Sequence, residues 1–413
     1  MARLDVEFVD ESCGFVAANE DFIEQKIYEK VSKKGYTISS AQEYEQLSAR
    51  RKGILEWYPF KENATLLELG AGMGALTELF AEKKCIVTSV EVKESRAKIV
   101  KKRVQDCANV HVICDNPVLF ETDEKFDYIV IHDVWGYIKK YNKCDNAYNI
   151  FLDKIRKLLN KDGHFIVIAD NRLALKYFSG SIDEYSRKLF VGLNEYKGYS
   201  YIKSFDKNEI LEILLENGLC PKEIFYVNSD YYFTDKIYTD YALKHVKYVA
   251  NKYSTTYKEF SFFDEEKVYD AFQRNNIVDK FVDAFVIDCY PSGQKNEKMV
   301  YYQIGNATEN GVGVFLDNDD TLIRRKFVKE KKQFDCGERI CMDDWRKMVL
   351  EHKSFDDELR KFVKGNVGFP LVNPVDILMF GEKYCMCETG EDDLQLKEEE
   401  KLIQELIGEL YEN

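Results

Sequence analysis

The chain is 413 residues long, 45% hydrophobic and 32% charged. That balance excludes an intrinsically disordered chain, and the length suggests more than one compact core. Its net charge of −14 argues against duplex nucleic acid, which asks for a large positive footprint, and against docking on anionic lipid. No run approaches the ~18 to 20 apolar residues a membrane span needs, and the first residues, Met1 to Phe8, lack the apolar run of a secretory signal. A cytoplasmic protein without membrane insertion is expected. In that setting the 11 cysteines read as free thiols. One group, Cys336, Cys341, Cys385 and Cys387, raises the question of zinc, but neither gap has the Cys-x-x-Cys spacing.

Residues 1–62 read as a helical N-terminal region. A mixed helical pattern covers 21–32, and a helix capped by Ser48 runs to Tyr58, where Pro59 turns the chain. From Ala64 the pattern alternates. Strands are predicted at 65–69, 85–92, 110–114, 126–131 and 165–169, with helices at 75–83, 94–105 and 147–159 and a turn at 160–163. The strands are near-continuous apolar runs, as in a parallel sheet covered on both faces. A helix at 206–217 ends at Gly218, and two strands, 222–228 and 236–242, follow as an antiparallel pair. This is an α/β, doubly wound, Rossmann-like sheet with an antiparallel last strand, spanning 63–247. Beyond it, 248–413 reads as a separate α+β domain of unknown role: helices at 264–275, 343–362 and 397–411, strands at 281–289, 299–304 and 321–328.

The chemistry starts at Glu68-Leu-Gly70-Ala71-Gly72-Met-Gly74. Glycines directly after a first strand let the backbone turn sharply and approach a ligand, and the next helix offers its N–H groups there. The loop alone fits either a dinucleotide or S-adenosylmethionine. Three neighbours favour the latter. Glu68 stands just before the loop, where a carboxylate can help hold a cationic amino-acid tail. Glu91 ends the second strand and can accept both ribose hydroxyls. Asp115, followed by Asn116, ends the third strand near the expected adenine. Asp115-Asn116-Pro117 is not the signature of base-amino methylation, which belongs after the fourth strand.

Reacting groups belong at the ends of strands four and five. His132 and Asp133 are the candidates for proton removal. Asn171, Arg172, Lys176 and Tyr177 follow strand five and suit hydroxyls, carboxylates or phosphates.

Three segments together, Leu47 to Phe60, Leu66 to Thr77 and Asp170 to Gly180, resemble class I S-adenosylmethionine (SAM)-dependent methyltransferases encoded among bacterial capsule, lipopolysaccharide and other surface-glycan genes. The resemblance covers roughly 40–241. It implies SAM as cofactor, held by Glu68, Gly70, Ala71, Gly72, Gly74, Glu91, Asp115 and Asn116. It also implies a sugar, glycan or nucleotide-sugar acceptor methylated on oxygen, beside Asn171, Arg172, Lys176 and Tyr177, and association with glycan-assembly enzymes. Two departures bear on the acceptor and the base. Asp170 stands where relatives have Glu, and Ile182-Asp-Glu-Tyr185 stands where they continue Glu-Asp-His. An RNA methyltransferase, to which Leu76-Thr77 also points, and a non-catalytic methyltransferase-fold scaffold are the competing readings.

Overall fold

The computed structural model describes residues 17–32, 41–183, 185–199, 201–228, 234, 236–245, 248 and 262–289, and the strands 298–304, 311–316, 322–327, 377–380 and 383–386. Helices α1 (Ala17–Val31) and α2 (Ala41–Leu47) lead into a 3-10 segment, Ala49–Ile54, whose N-terminus is capped by the Ser48 side chain. The predicted helix at 48–58 is therefore a 3-10 turn and a bend. Its residues are almost all buried, so packing rather than helical periodicity sets its shape.

Strands β1 (Thr65–Leu69), β2 (Ile86–Glu91), β3 (Val110–Cys114), β4 (Phe126–His132) and β5 (Leu159–Asp170) form a parallel sheet in the order 3-2-1-4-5. Between them run α3 (Ala75–Glu82), α4 (Glu94–Arg103), α5 (Ile138–Tyr141) and α6 (Ala147–Leu158). The reversal of strand order between β1 and β4 creates the crevice at the strands' C-terminal ends where ligands of such sheets lie. Helix α6 buries Tyr148, Phe151, Leu152, Ile155 and Leu158 against one face of the sheet. Trp57, Tyr58 and Phe60 join Leu76 and Phe80 of α3 on the other. The predicted turn at 160–163 lies within β5, where the register with β4 shifts.

After α7 (Leu175–Phe178) and α8 (Lys207–Glu216) the sheet continues with β6 (Pro221–Asn228) and β7 (Lys236–Tyr238), and the chain then turns into α9 (Asp240–His245) and α10 (Glu265–Arg274). The second strand of the expected pair stops at Tyr238, because Thr239 and Asp240 start a helix.

The largest correction concerns the boundary at 247/248. Strand β8 (Ala284–Cys289) inserts between β5 and β6 and is antiparallel to both. The antiparallel strand inside this sheet thus comes from the segment assigned to a second domain. All six of its residues are buried, the mark of a central strand. Strands β9 (Lys298–Ile304), β10 (Gly311–Leu316) and β11 (Leu322–Phe327) extend the same sheet beyond β7. Tyr302 of β9 donates a 2.6 Å bond to Glu56 of the N-terminal region, both groups being buried. A single sheet runs from 65 to 327, so the separation into domains at 247 is withdrawn. A two-stranded hairpin, β12 (Ile377–Phe380) and β13 (Lys383–Met386), stands apart from this sheet. The helices expected at 343–362 and 397–411, and Cys336, Cys341 and Cys387, lie outside the described residues. No helix among the described residues is long and apolar enough to cross a membrane.

Candidate functional site

The loop from β1 to α3 carries three left-handed glycines: Gly70 (φ 87°), Gly72 (φ 56°) and Gly74 (φ 83°). The N–H groups of Gly70 and Ala71 both reach the Val90 carbonyl, at 2.9 and 3.2 Å, which binds the loop to the end of β2. The three glycines meet different surroundings. A Cβ on Gly70 would overlap the Val134 side chain, and one on Gly74 would stand 3.2 Å from the Val100 backbone. A Cβ on Gly72 would meet nothing within 4 Å. The outer glycines serve close packing; the middle one borders open space. Ala71 is buried among Ala97, Val100 and Val112 and acts through packing.

Glu91 is hydrogen-bonded to the middle glycine. Its two carboxylate oxygens accept the N–H groups of Gly72 (2.7 Å) and Lys93 (3.0 Å). Burial pushes its pKa up, against the pull of Arg96 and the two backbone bonds. Helix α1 closes this side. Glu24, 2% exposed, receives Lys93 Nζ at 3.0 Å, Arg96 Nε at 2.8 Å and the Ser95 hydroxyl. Met73 of the loop packs with Ile27, Val31, Leu47 and Ile99. The N-terminal helices therefore wall one side of the glycine loop, a role the weak apolar pattern of 21–32 did not announce.

Glu68 occupies a different place from the one expected. It alternates with Leu67 and Leu69, so its side chain points under α3. There it accepts the hydroxyls of Thr77 (2.5 Å) and Ser89 (2.7 Å) and is 1% exposed. It braces the loop from behind. Burial raises its pKa from 4.5 to about 7, against the two hydroxyl bonds. A carboxyl whose folded pKa lies above its unfolded value keeps a proton that the unfolded chain releases. Stability then falls as pH rises through that window, by at most about 1.4 kcal/mol per pH unit. Glu68→Gln is expected to flatten this slope between about pH 4.5 and pH 7; urea melts across that range check it, and an unchanged slope would assign the ionisation to another group.

At the end of β3, Asp115 is exposed with its N–H on the Glu91 carbonyl at 3.1 Å. Its neighbour Asn116 is committed elsewhere. The Asn116 carbonyl oxygen accepts the N–H of Val118 at 2.9 Å and caps the following turn. The side chain of Asn116 shapes that turn rather than facing a cofactor.

At the end of β4 the two candidates part. Burial, assisted by the nearby Arg51 guanidinium, pushes the His132 pKa down to about 3. An imidazole so poorly basic stays neutral near pH 7, which weighs against His132 as general base. Asp133 remains: it adopts φ 58° and receives the Tyr185 hydroxyl at 3.3 Å. Left-handed backbone in a non-glycine residue at a strand end is a feature that clusters at functional sites.

The residues after β5 are corrected as well. Asn171 is fully buried and donates to the carbonyls of Lys280 (3.0 Å) and Val282 (2.8 Å), joining β5 to the approach of β8. Arg172 forks onto Asp206 (2.6 Å) and Glu209 (2.8 Å), the capping-box pair of α8. Lys176 (3.2 Å) and Tyr177 (2.7 Å) both bind Asp170, which is 4% exposed. These four side chains hold the scaffold; their polar groups are engaged within the chain.

A small cavity lies at the ends of β4 and β5. It is lined by Asp133, Trp135, Asp170, Tyr185, Ser204 and Phe205, among others. Tyr185 and Ser204 belong to the segment between α7 and α8, which had no candidate in the sequence. That segment is anchored by buried Asp183, which receives the Tyr196 hydroxyl and the Ser186 N–H (2.7 Å), while Tyr196 and Ser204 share a hydroxyl contact at 2.5 Å. The only hint was the departure at Ile182-Asp-Glu-Tyr185.

The Nodulation protein S family matches residues 17–176. The chain is 37% identical over 62 residues to the ribosomal RNA small subunit methyltransferase A of Syntrophus aciditrophicus (strain SB), covering 15% of this chain and 22% of that protein. It is 31% identical over 110 residues to the uncharacterized protein RP028 of Rickettsia prowazekii (strain Madrid E), covering 25% of this chain and 42% of that one. The chain thus spans between about a fifth and two fifths of these curated relatives. Among solved structures, geranyl diphosphate C-methyltransferase from Streptomyces coelicolor A3(2) is similar at 14% identity and a TM-score of 0.37, over 61% of this chain and 78% of that one.

Proposed function

We propose that the protein is a SAM-dependent methyltransferase acting on a hydroxyl of a sugar, glycan or nucleotide-sugar acceptor in surface-polysaccharide synthesis. One observation carries the cofactor reading: Gly72 borders open space, and its N–H is held by the Glu91 carboxylate at 2.7 Å. A glycine that needs no room for packing, beside a buried carboxylate able to accept ribose hydroxyls, suits a nucleoside approaching the loop closely. The residues fit SAM. Glu91 and the backbone of 70–74 would hold it, with Asp115 at the adenine end and α1 as cover. SAM supplies an activated methyl group and carries its own leaving group.

The chain's own part is then alignment and proton removal. Asp133 accepts the Tyr185 hydroxyl and lines the cavity at the end of β4; in this reading it would take the proton of the acceptor hydroxyl. Trp135, Tyr185 and Phe205 give the cavity apolar walls that limit water.

Calorimetric titration tests the reading. Wild type is expected to bind SAM in preference to NADH, and Glu91→Ala to lose about 1–3 kcal/mol of SAM affinity as charge-assisted hydrogen bonds are lost. NADH binding in place of SAM, or a folded Glu91→Ala protein with undiminished SAM affinity, would overturn it.

A further inference from the structure

The segment 185–203, between α7 and α8, is locally basic. In a chain of net charge −14 it carries four cations, Arg187, Lys188, Lys197 and Lys203, against one carboxylate, Glu195. Arg187, Lys188 and Lys197 are exposed. Aromatic rings are interleaved with them: Tyr199 is 39% and Tyr201 56% exposed, and Lys188 Nζ lies over the Tyr199 ring at 5.7 Å. Lys203 Nζ lies 4.2 Å over Phe205, a wall of the cavity.

The backbone of this segment is held in costly conformations. Arg187, Phe190, Glu195 and Tyr196 all have φ between 53° and 61°. Each such non-glycine residue costs about 1 kcal/mol or more. The buried contacts of Asp183 with Tyr196 and of Tyr196 with Ser204 keep this shape in place. These contacts fix the backbone from which the exposed cations and rings project. The segment's inner edge reaches the cavity through Tyr185 and Ser204, and Tyr185 touches Asp133. On the cavity wall, the buried Nε1–H of Trp135 has no partner among the described residues.

We propose that 185–203 is the recognition rim for the anionic part of the acceptor, and that the acceptor is a nucleoside diphosphate-linked molecule. This rests on the methyltransferase reading. The exposed guanidinium and ammonium groups suit a diphosphate. The exposed tyrosine rings offer faces on which a nucleobase stacks. The linked sugar then reaches Asp133 at the end of β4. Local positive charge on this segment attracts a diphosphate that the net charge of −14 otherwise repels.

The test uses the full chain saturated with S-adenosylhomocysteine, with UDP and uridine as probes and phosphatidylglycerol vesicles as a control. UDP is expected to bind more tightly than uridine and to weaken with added salt. The double variant Arg187→Ala, Lys188→Ala is expected to lose UDP affinity by about tenfold while its affinity for S-adenosylhomocysteine and its circular dichroism stay as in wild type. Equal binding of UDP and uridine, or UDP binding indifferent to the double substitution, would overturn the rim. Vesicle binding lost in the variant without any UDP binding would assign the surface to a lipid headgroup instead. Failure of S-adenosylhomocysteine to bind in the same titration would fall on the methyltransferase reading itself.

Discussion

A chain ending at residue 247 is expected not to fold. The methyltransferase-like half of the sequence looks complete by then, with five parallel strands, the glycine loop and the β6–β7 pair. Yet β8 lies between β5 and β6 and is hydrogen-bonded to both. Without it, Phe165 to Asp170 and Pro221 to Val227 face each other as open edges. Phe285, Val286 and Ile287, each fully buried, would be lost from both faces of the sheet. At about 1.5–3 kcal/mol for each such side chain, the loss is roughly 5–9 kcal/mol before any ladder hydrogen bond is counted. Domain stabilities are on the order of 5–15 kcal/mol, so little remains. Asn171 would also lose the Lys280 and Val282 carbonyls that hold the turn after β5. Size-exclusion chromatography and near-ultraviolet circular dichroism of the 1–247 fragment check this. A compact, SAM-binding fragment would mean that β6 can close against β5 directly.

Why that strand escaped sequence reading is a matter of range. Strands β1 to β4 announce themselves because each is a short apolar run bounded by turn residues, and helices follow β1, β2 and β4. The pattern of β8 was equally clear, an apolar run at 281–289, but nothing local says which sheet it enters. The texture change after Tyr248 suggested a new domain, whereas the chain was completing the old one. The geometry of the glycine loop was legible for the same local reason: Gly70, Gly72, Gly74 and Glu91 sit where strand ends and turn chemistry put them. The acceptor side was not. Arg172 has the chemistry of an anion ligand, and only the fold shows that Asp206 and Glu209 at the start of α8 have taken it. His132 has the chemistry of a base, and only the fold shows that desolvation and the charge of Arg51 lower its pKa. The groups that do line the cavity, Tyr185, Ser204 and Phe205, sit in a segment without periodicity.

The glycine loop allows the sharpest separation of folding from binding. Gly70→Ala should destabilise the protein by roughly 2–5 kcal/mol, because the new methyl overlaps Val134 and the φ of 87° is unsuited to an L side chain. Thermal melting checks it. Gly72→Ala is different. Its φ of 56° lies where alanine is tolerated at a cost of about 1 kcal/mol, and its methyl meets nothing within 4 Å. The folded protein should survive with a small drop in Tm. Its affinity for SAM should nevertheless fall more than about tenfold, because the space the methyl enters is the space a nucleoside needs beside Glu91. The two variants therefore predict opposite orders: Gly70→Ala worse in stability, Gly72→Ala worse in binding per unit of stability lost. A Gly72→Ala protein that melts as expected and binds SAM as tightly as wild type would show that the open side of the loop is not where the cofactor lies. The crevice beneath α1 would then have to be assigned to another ligand.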